Sequence, residues 1–212
     1  MNILVKFKNL LVEALTENKK LIIGLYLLFI IVTIISWILL ADTMHAALKS
    51  IHASQTTPIH SNSEHGLELF LHNEKNGIIV YFGSILFAIP AIVSLLYNAF
   101  VLGLLGQLSS IVLPNGALIY IFYILPHGIF EITAIILQSV SGILLFLFIF
   151  RFIKAMMSSE TKSVSESFQK TKKVLIHSII LMIFSTILLL IAAPIETFVS
   201  VPFSEFMGNL LK

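Results

Sequence analysis

The stretch Ala117–Arg151, ALIYIFYILPHGIFEITAIILQSVSGILLFLFIFR, decides how this chain is read. Before its closing arginine it holds one histidine, His127, and one carboxylate, Glu131, in an otherwise apolar run. A run of this length reaches across a hydrocarbon layer of ~30 Å. That layer has no water to solvate a carboxylate, which costs roughly 2.5–3.5 kcal/mol at its centre on insertion scales. His127 and Glu131 must therefore face a protein interior or a wet cavity. Pro126-His127-Gly128 predicts a break here, with a re-entrant half-helix at about 117–126 and a full helix from about Ile129 to Phe152.

The rest of the chain agrees on class. It has 212 residues, 58% of them hydrophobic and only 11% charged, where a soluble domain carries about 25% charged residues. Its mean hydropathy is +1.00. Long unbroken apolar runs argue against a β-barrel, whose segments are short and alternating. The fold class read from sequence is all-α: a polytopic helical membrane protein with five transmembrane helices plus the half-helix. There is no cysteine, which removes disulfides, thiolate metal sites and cysteine nucleophiles.

Residues 1–19 predict a cytoplasmic amphipathic helix, with Leu4, Phe7, Leu11, Ala14 and Leu15 on one face, lying on the membrane surface. Residues 20–41 hold the first transmembrane helix, too long for the apolar part of a signal peptide. Residues 42–76 form a polar extracytoplasmic module with His45, His52, His60, His65 and His72, read as two short helices around Pro58, the second from Ser63 to a stop at Gly77. These histidines lack the spacing of a compact ligand pair and read as surface residues. The remaining core, 77–202, is assigned four transmembrane helices, the half-helix and a cytoplasmic loop at 156–173, and 203–212 is a tail. Within it, 77–113 is too long for one crossing and is expected to divide at Asn98. Pro114-Asn115-Gly116 is a turn.

Lysines and arginines flank the cytoplasmic side of membrane helices. Lys6, Lys8, Lys19 and Lys20 precede the first span, and Arg151, Lys154, Lys162, Lys170, Lys172 and Lys173 cluster near the second polar region. Placing both inside gives five crossings of the cell membrane, with the N-terminus cytoplasmic and the C-terminus outside.

Candidate functional residues are the polar groups inside these runs. His127 and Glu131 share a helix face at i, i+4, and Gln138 and Gly142 extend it. Glu196 follows Pro194, where a disturbed helix end frees backbone carbonyls. Asn98, His127, Glu131 and Glu196 are expected to form a buried polar centre, either structural or able to hold a proton or ion. The expected helix breaks are Pro114, Gly116, Pro126 and Gly128. A zinc-protease helix needs two histidines at i, i+4 with a glutamate between them; His-Gly-Ile-Phe-Glu lacks the second. No Gly-x-Ser-x-Gly elbow or phosphate loop is present. No catalytic, cofactor-binding or metal-binding motif is expected, and the protein is read as a non-enzyme that needs no cofactor.

Asn76, the stretch Asn98-Ala-Phe-Val-Leu-Gly103, Pro126-His127-Gly128-Ile-Phe-Glu131 with Ala134 and Gly142, and the closing Ala192-Ala193-Pro194-Ile195-Glu196-Thr-Phe-Val199 together resemble the stage II sporulation protein M family. The resemblance covers about 76–202. Ala99 departs from it, since the family usually has glycine after the asparagine. In sporulating members the resemblance implies a non-enzymatic protein that anchors a peptidoglycan-remodelling complex during engulfment. Relatives in organisms that never sporulate imply that sporulation is not the family's general role, and others beside export and circular-bacteriocin systems imply a permease-like or export-accessory role. The leading expectation is a membrane scaffold that recruits or positions envelope proteins. Its expected partners are membrane lipid, other membrane or envelope proteins and a second copy of the chain, with no nucleic acid.

Overall fold

The computed structural model describes residues 2–39, 41, 63–158 and 163–211, with side-chain surroundings from residue 66 onward in the block 63–158. The helix expected before Pro58, with His45, His52 and His60, and the side chain of His65 lie outside what it describes. The described residues are all-helical: α1 (Ile3–Glu17), α2 (Lys19–Leu39), α3 (Ser63–Gly83), α4 (Ile89–Val112), α5 (Gly116–Met156), α6 (Val164–Ile195), a π-helical turn (Glu196–Ser200) and α7 (Val201–Leu210). Among the described residues, four stretches are long and apolar enough to cross a membrane: Lys19–Leu39, Ile89–Val112, Gly116–Met156 and Val164–Leu210.

α1 begins where expected because Asn2 caps it, its side chain accepting from the Leu4 N–H at 3.2 Å. Its apolar face, Leu11, Ala14 and Leu15, joins the core. α3 starts at Ser63 but does not stop at Gly77. It continues to Gly83, because Gly77 is where the helix crosses α5, and a Cβ there would run into the Gln138 amide. The glycine costs about 1 kcal/mol of helix propensity and gives a close approach in return. The division expected at Asn98 lies instead at residues 84–88. Pro90 sits in the first turn of α4, where its missing N–H costs nothing. Asn98 is inside α4, its amide folded back to donate to the Ser94 carbonyl at 2.8 Å, so a turn-forming residue is satisfied within the helix.

Asn115, with φ of 54°, makes the left-handed turn that asparagine tolerates, so Pro114 and Gly116 do mark a boundary between helices. Pro126 and Gly128 do not. α5 runs through them without interruption, and the half-helix at 117–126 and the helix from Ile129 are one element. Pro126 removes a single backbone donor, and in apolar surroundings the remaining N–H and C=O groups have no better partners than the helix itself. At 41 residues and ~1.5 Å each, α5 is about twice as long as a ~30 Å hydrocarbon layer is thick. The loop expected at 156–173 is likewise shorter. Ser163 caps α6 by accepting from the Glu166 N–H at 3.2 Å, and helix resumes at Val164. Residues 203–210, expected in the tail, belong to α7.

α5 and α6 pair along most of their length around Ile136, Leu137, Val140, Leu181 and Leu189, which are almost fully buried. α2 packs on α4 through Gly103 and Gly106, where any Cβ would strike Ser36 or the Trp37 ring. Lipid is as apolar as leucine, so such contacts hold helices together by close packing and hydrogen bonds, with little help from the hydrophobic effect.

Candidate functional site

Three elements bring the polar centre together. On α5, Tyr123, His127 and Glu131 are spaced four residues apart and so form a column on one face. The π-helical turn supplies Glu196 and Ser200. Pro194, inside the end of α6, withholds a backbone donor just before that turn and favours a local change of helical register; π turns of this kind recur at functional positions. α3 supplies Asn73.

His127 is 2% exposed. Its Nδ1 lies 2.8 Å from Ser200 Oγ, and its Nε2 lies 3.6 Å from Glu131 Oε2. Glu131 Oε1 accepts from Asn73 Nδ2 at 2.9 Å. Glu196 Oε1 accepts from the Tyr123 hydroxyl at 2.5 Å, and the Tyr123 ring meets the imidazole edge-on at 5.2 Å. One ligand-capable atom each from His127, Glu131 and Glu196 lies within 4.8 Å of the other two. Among the described residues no lysine or arginine is ion-paired with this group.

Two cavities adjoin it. One of about 210 Å³ is lined by Asn98, Tyr120, Tyr123, His127, Glu131 and Glu196 among others. A second, of about 490 Å³, lies between α3, α4 and α5, with His72, Asn73, Asn76, Tyr97 and Gln138 in its wall. Asn98, Val101 and Ile135 line both. Gln138 Nε2 is buried there with no hydrogen-bond partner among the described residues.

The structure thus gathers His127, Glu131 and Glu196. Asn98 shares their cavity but, among the described residues, bonds only to Ser94. Gln138, two turns along the same face, packs against Gly77 and does not join the cluster. Sequence reasoning missed Tyr123, Ser200 and Asn73. The first two carried a signal, lying four residues before His127 and four after Glu196. Asn73 carried none, because it falls in the stretch assigned to the exterior.

The profile of the family described as Stage II sporulation protein M matches residues 25–201. Two proteins of Methanocaldococcus jannaschii, both named only as uncharacterized, are similar to the chain. One is 27% identical over 173 residues, covering 79% of this chain and 78% of the relative. The other is 31% identical over 140 residues, covering 66% and 72%. No solved structure matches the chain.

Proposed function

The chain belongs to the stage II sporulation protein M family, and on that premise we propose that it is a non-enzymatic multi-pass scaffold that recruits or positions envelope proteins. We place five crossings in the cell membrane, α2, α3, α4, α5 and α6 with α7, the N-terminus inside and the C-terminus outside. The fixing of α3 carries the scaffold reading. This helix leads out of the polar stretch 42–62, and three hydrogen bonds tie it to the bundle: Asn73 to Glu131 at 2.9 Å, Thr186 to Glu74 at 2.8 Å and Tyr81 with Ser178 at 3.0 Å. A polar stretch mounted between α2 and a helix fixed in this way has the rigid base that partner recruitment requires.

Purification from a native membrane tests the role. Specific envelope proteins should co-purify with the intact chain and be lost when 45–60 is replaced by a glycine-serine linker; an unchanged set of partners overturns the reading. Cysteines placed at Ser61 and Ser165 in this cysteine-free chain should label from opposite faces, and labelling from one face would refute the topology.

The two cavities that meet at Asn98 favour a second reading, a permease-like subunit or export accessory. Solute-dependent flux in liposomes containing the purified chain, without any partner, would select it over the scaffold.

A further inference from the structure

We propose that His127, Glu131 and Glu196 form a binding site for one divalent transition-metal ion of the zinc and manganese class. Imidazole with two carboxylates is a donor set such ions take. Bonds of about 2.1 Å place neighbouring ligand atoms about 3.4 Å apart in a tetrahedral shell. The gap of 3.6 Å between His127 Nε2 and Glu131 Oε2 is near that edge and longer than a good hydrogen bond of ~2.7–3.2 Å. Glu196 reaches the same space, all three donor atoms lying within 4.8 Å of one another, so closing the shell needs side-chain adjustments of about an ångström.

Each of the three side chains is held from behind by a separate neutral partner. Ser200 engages His127 Nδ1, Asn73 engages Glu131 Oε1 and Tyr123 engages Glu196 Oε1. Outer partners of this kind fix the tautomer and direction of metal ligands. With the imidazole proton on Nδ1 and donated to Ser200, Nε2 turns a lone pair toward Glu131 Oε2. In that tautomer two acceptors face each other across a gap that a proton on the carboxyl or a metal ion can bridge. No lysine or arginine among the described residues is paired there, and the adjoining cavity of about 210 Å³ has room for a water as a further ligand. This site is independent of the scaffold reading, since it requires neither a partner nor flux.

The test uses the full chain purified through a tag without histidines, in detergent, titrated with zinc or manganese while bound metal is counted by mass spectrometry. Wild type should hold one equivalent that Glu17→Gln keeps, which separates it from the group of exposed Glu13 and Glu17 with buried His177. His127→Gln and Glu131→Gln should lose it. No saturable metal in wild type, or undiminished binding by both variants, overturns the proposal. If those variants fail to fold, Ser200→Ala decides. It should weaken affinity roughly 10–100-fold with an unchanged melting temperature in chelator, and unchanged affinity overturns the site.

Discussion

Among the described residues, two groups of one histidine and two glutamates each bring donor atoms within 4.8 Å of one another, with their carboxylates in opposite surroundings. In the inner group, His127, Glu131 and Glu196, the carboxylates are met by an asparagine amide and a tyrosine hydroxyl. In the outer group, Glu13 and Glu17 of α1 meet a cation, Lys173, at 2.7 and 2.6 Å, and those side chains are 41%, 49% and 53% exposed. His177 beside them takes a 3.2 Å hydrogen bond from Asn18 at Nδ1. The same three side-chain types therefore do different work. At the surface, water and a lysine satisfy the carboxylates, and α1 is pinned to α6. Inside, neutral donors aim the carboxylates without cancelling their charge, and the balance is left to a proton or a bound ion.

The largest expected effect is inside. Glu131→Ala leaves His127 and Asn73 facing a hole, stranding two polar groups at about 1–3 kcal/mol each. We expect a steep fall in monodisperse protein by size-exclusion chromatography, with Glu131→Gln milder because it keeps the shape and can still bond. Asn73→Ala should follow at about 1–3 kcal/mol, the cost of stranding a buried acceptor. It should also loosen α3, read as faster amide exchange over residues 66–77. Glu17→Ala should leave both measurements close to wild type, since exposed ion pairs contribute little. Equal losses from Glu17→Ala and Glu131→Ala would erase the distinction between the two groups.

The comparison also shows what could be read from sequence. The inner trio was legible because a carboxylate inside an apolar run is expensive enough to demand a partner, and i, i+4 spacing named the nearest one. The outer group was not. Glu13 and Lys173 are ordinary charges far apart in the chain, and only the docking of α1 on α6 joins them. Asn73 was hidden for the opposite reason. Its neighbours Glu68, His72, Glu74 and Lys75 made α3 look extramembrane, and only interhelical bonds such as Glu74 with Thr186 bring it into the bundle. α1, α2 and the turn at Pro114–Gly116 followed from local signals. The continuity of α5 through Pro126 did not, because it depends on surroundings that offer the backbone no alternative partner. The division at residues 84–88 had a signal in Gly83 and Pro90, outweighed by the more conspicuous Asn98.

The smallest effect concerns the outer group and runs with pH. Lys173 hydrogen-bonds Glu13 and attracts it electrostatically, and this holds the Glu13 carboxyl below its ordinary value of 4.5. A carboxylate whose pKa is lower in the docked state favours docking fully above that ordinary value, and loses the contribution as pH falls through the lowered one. The Glu13 contribution to the docking of α1 should thus be flat from pH 7 to about 5 and weaken only below 4.5. Leu11, Ala14 and Leu15 still hold the helix to the core there, so the change should be partial. Spin labels at cysteines replacing Lys8 and Lys172, in nanodiscs, would report it as a broadened distance distribution at acid pH. Raising salt at neutral pH should give part of the same broadening by screening the pair. Lys173→Ala should abolish the acid transition attributed to Glu13. An identical acid profile in that variant would show that the lysine does not set the docking of α1, and that the two groups differ in exposure alone.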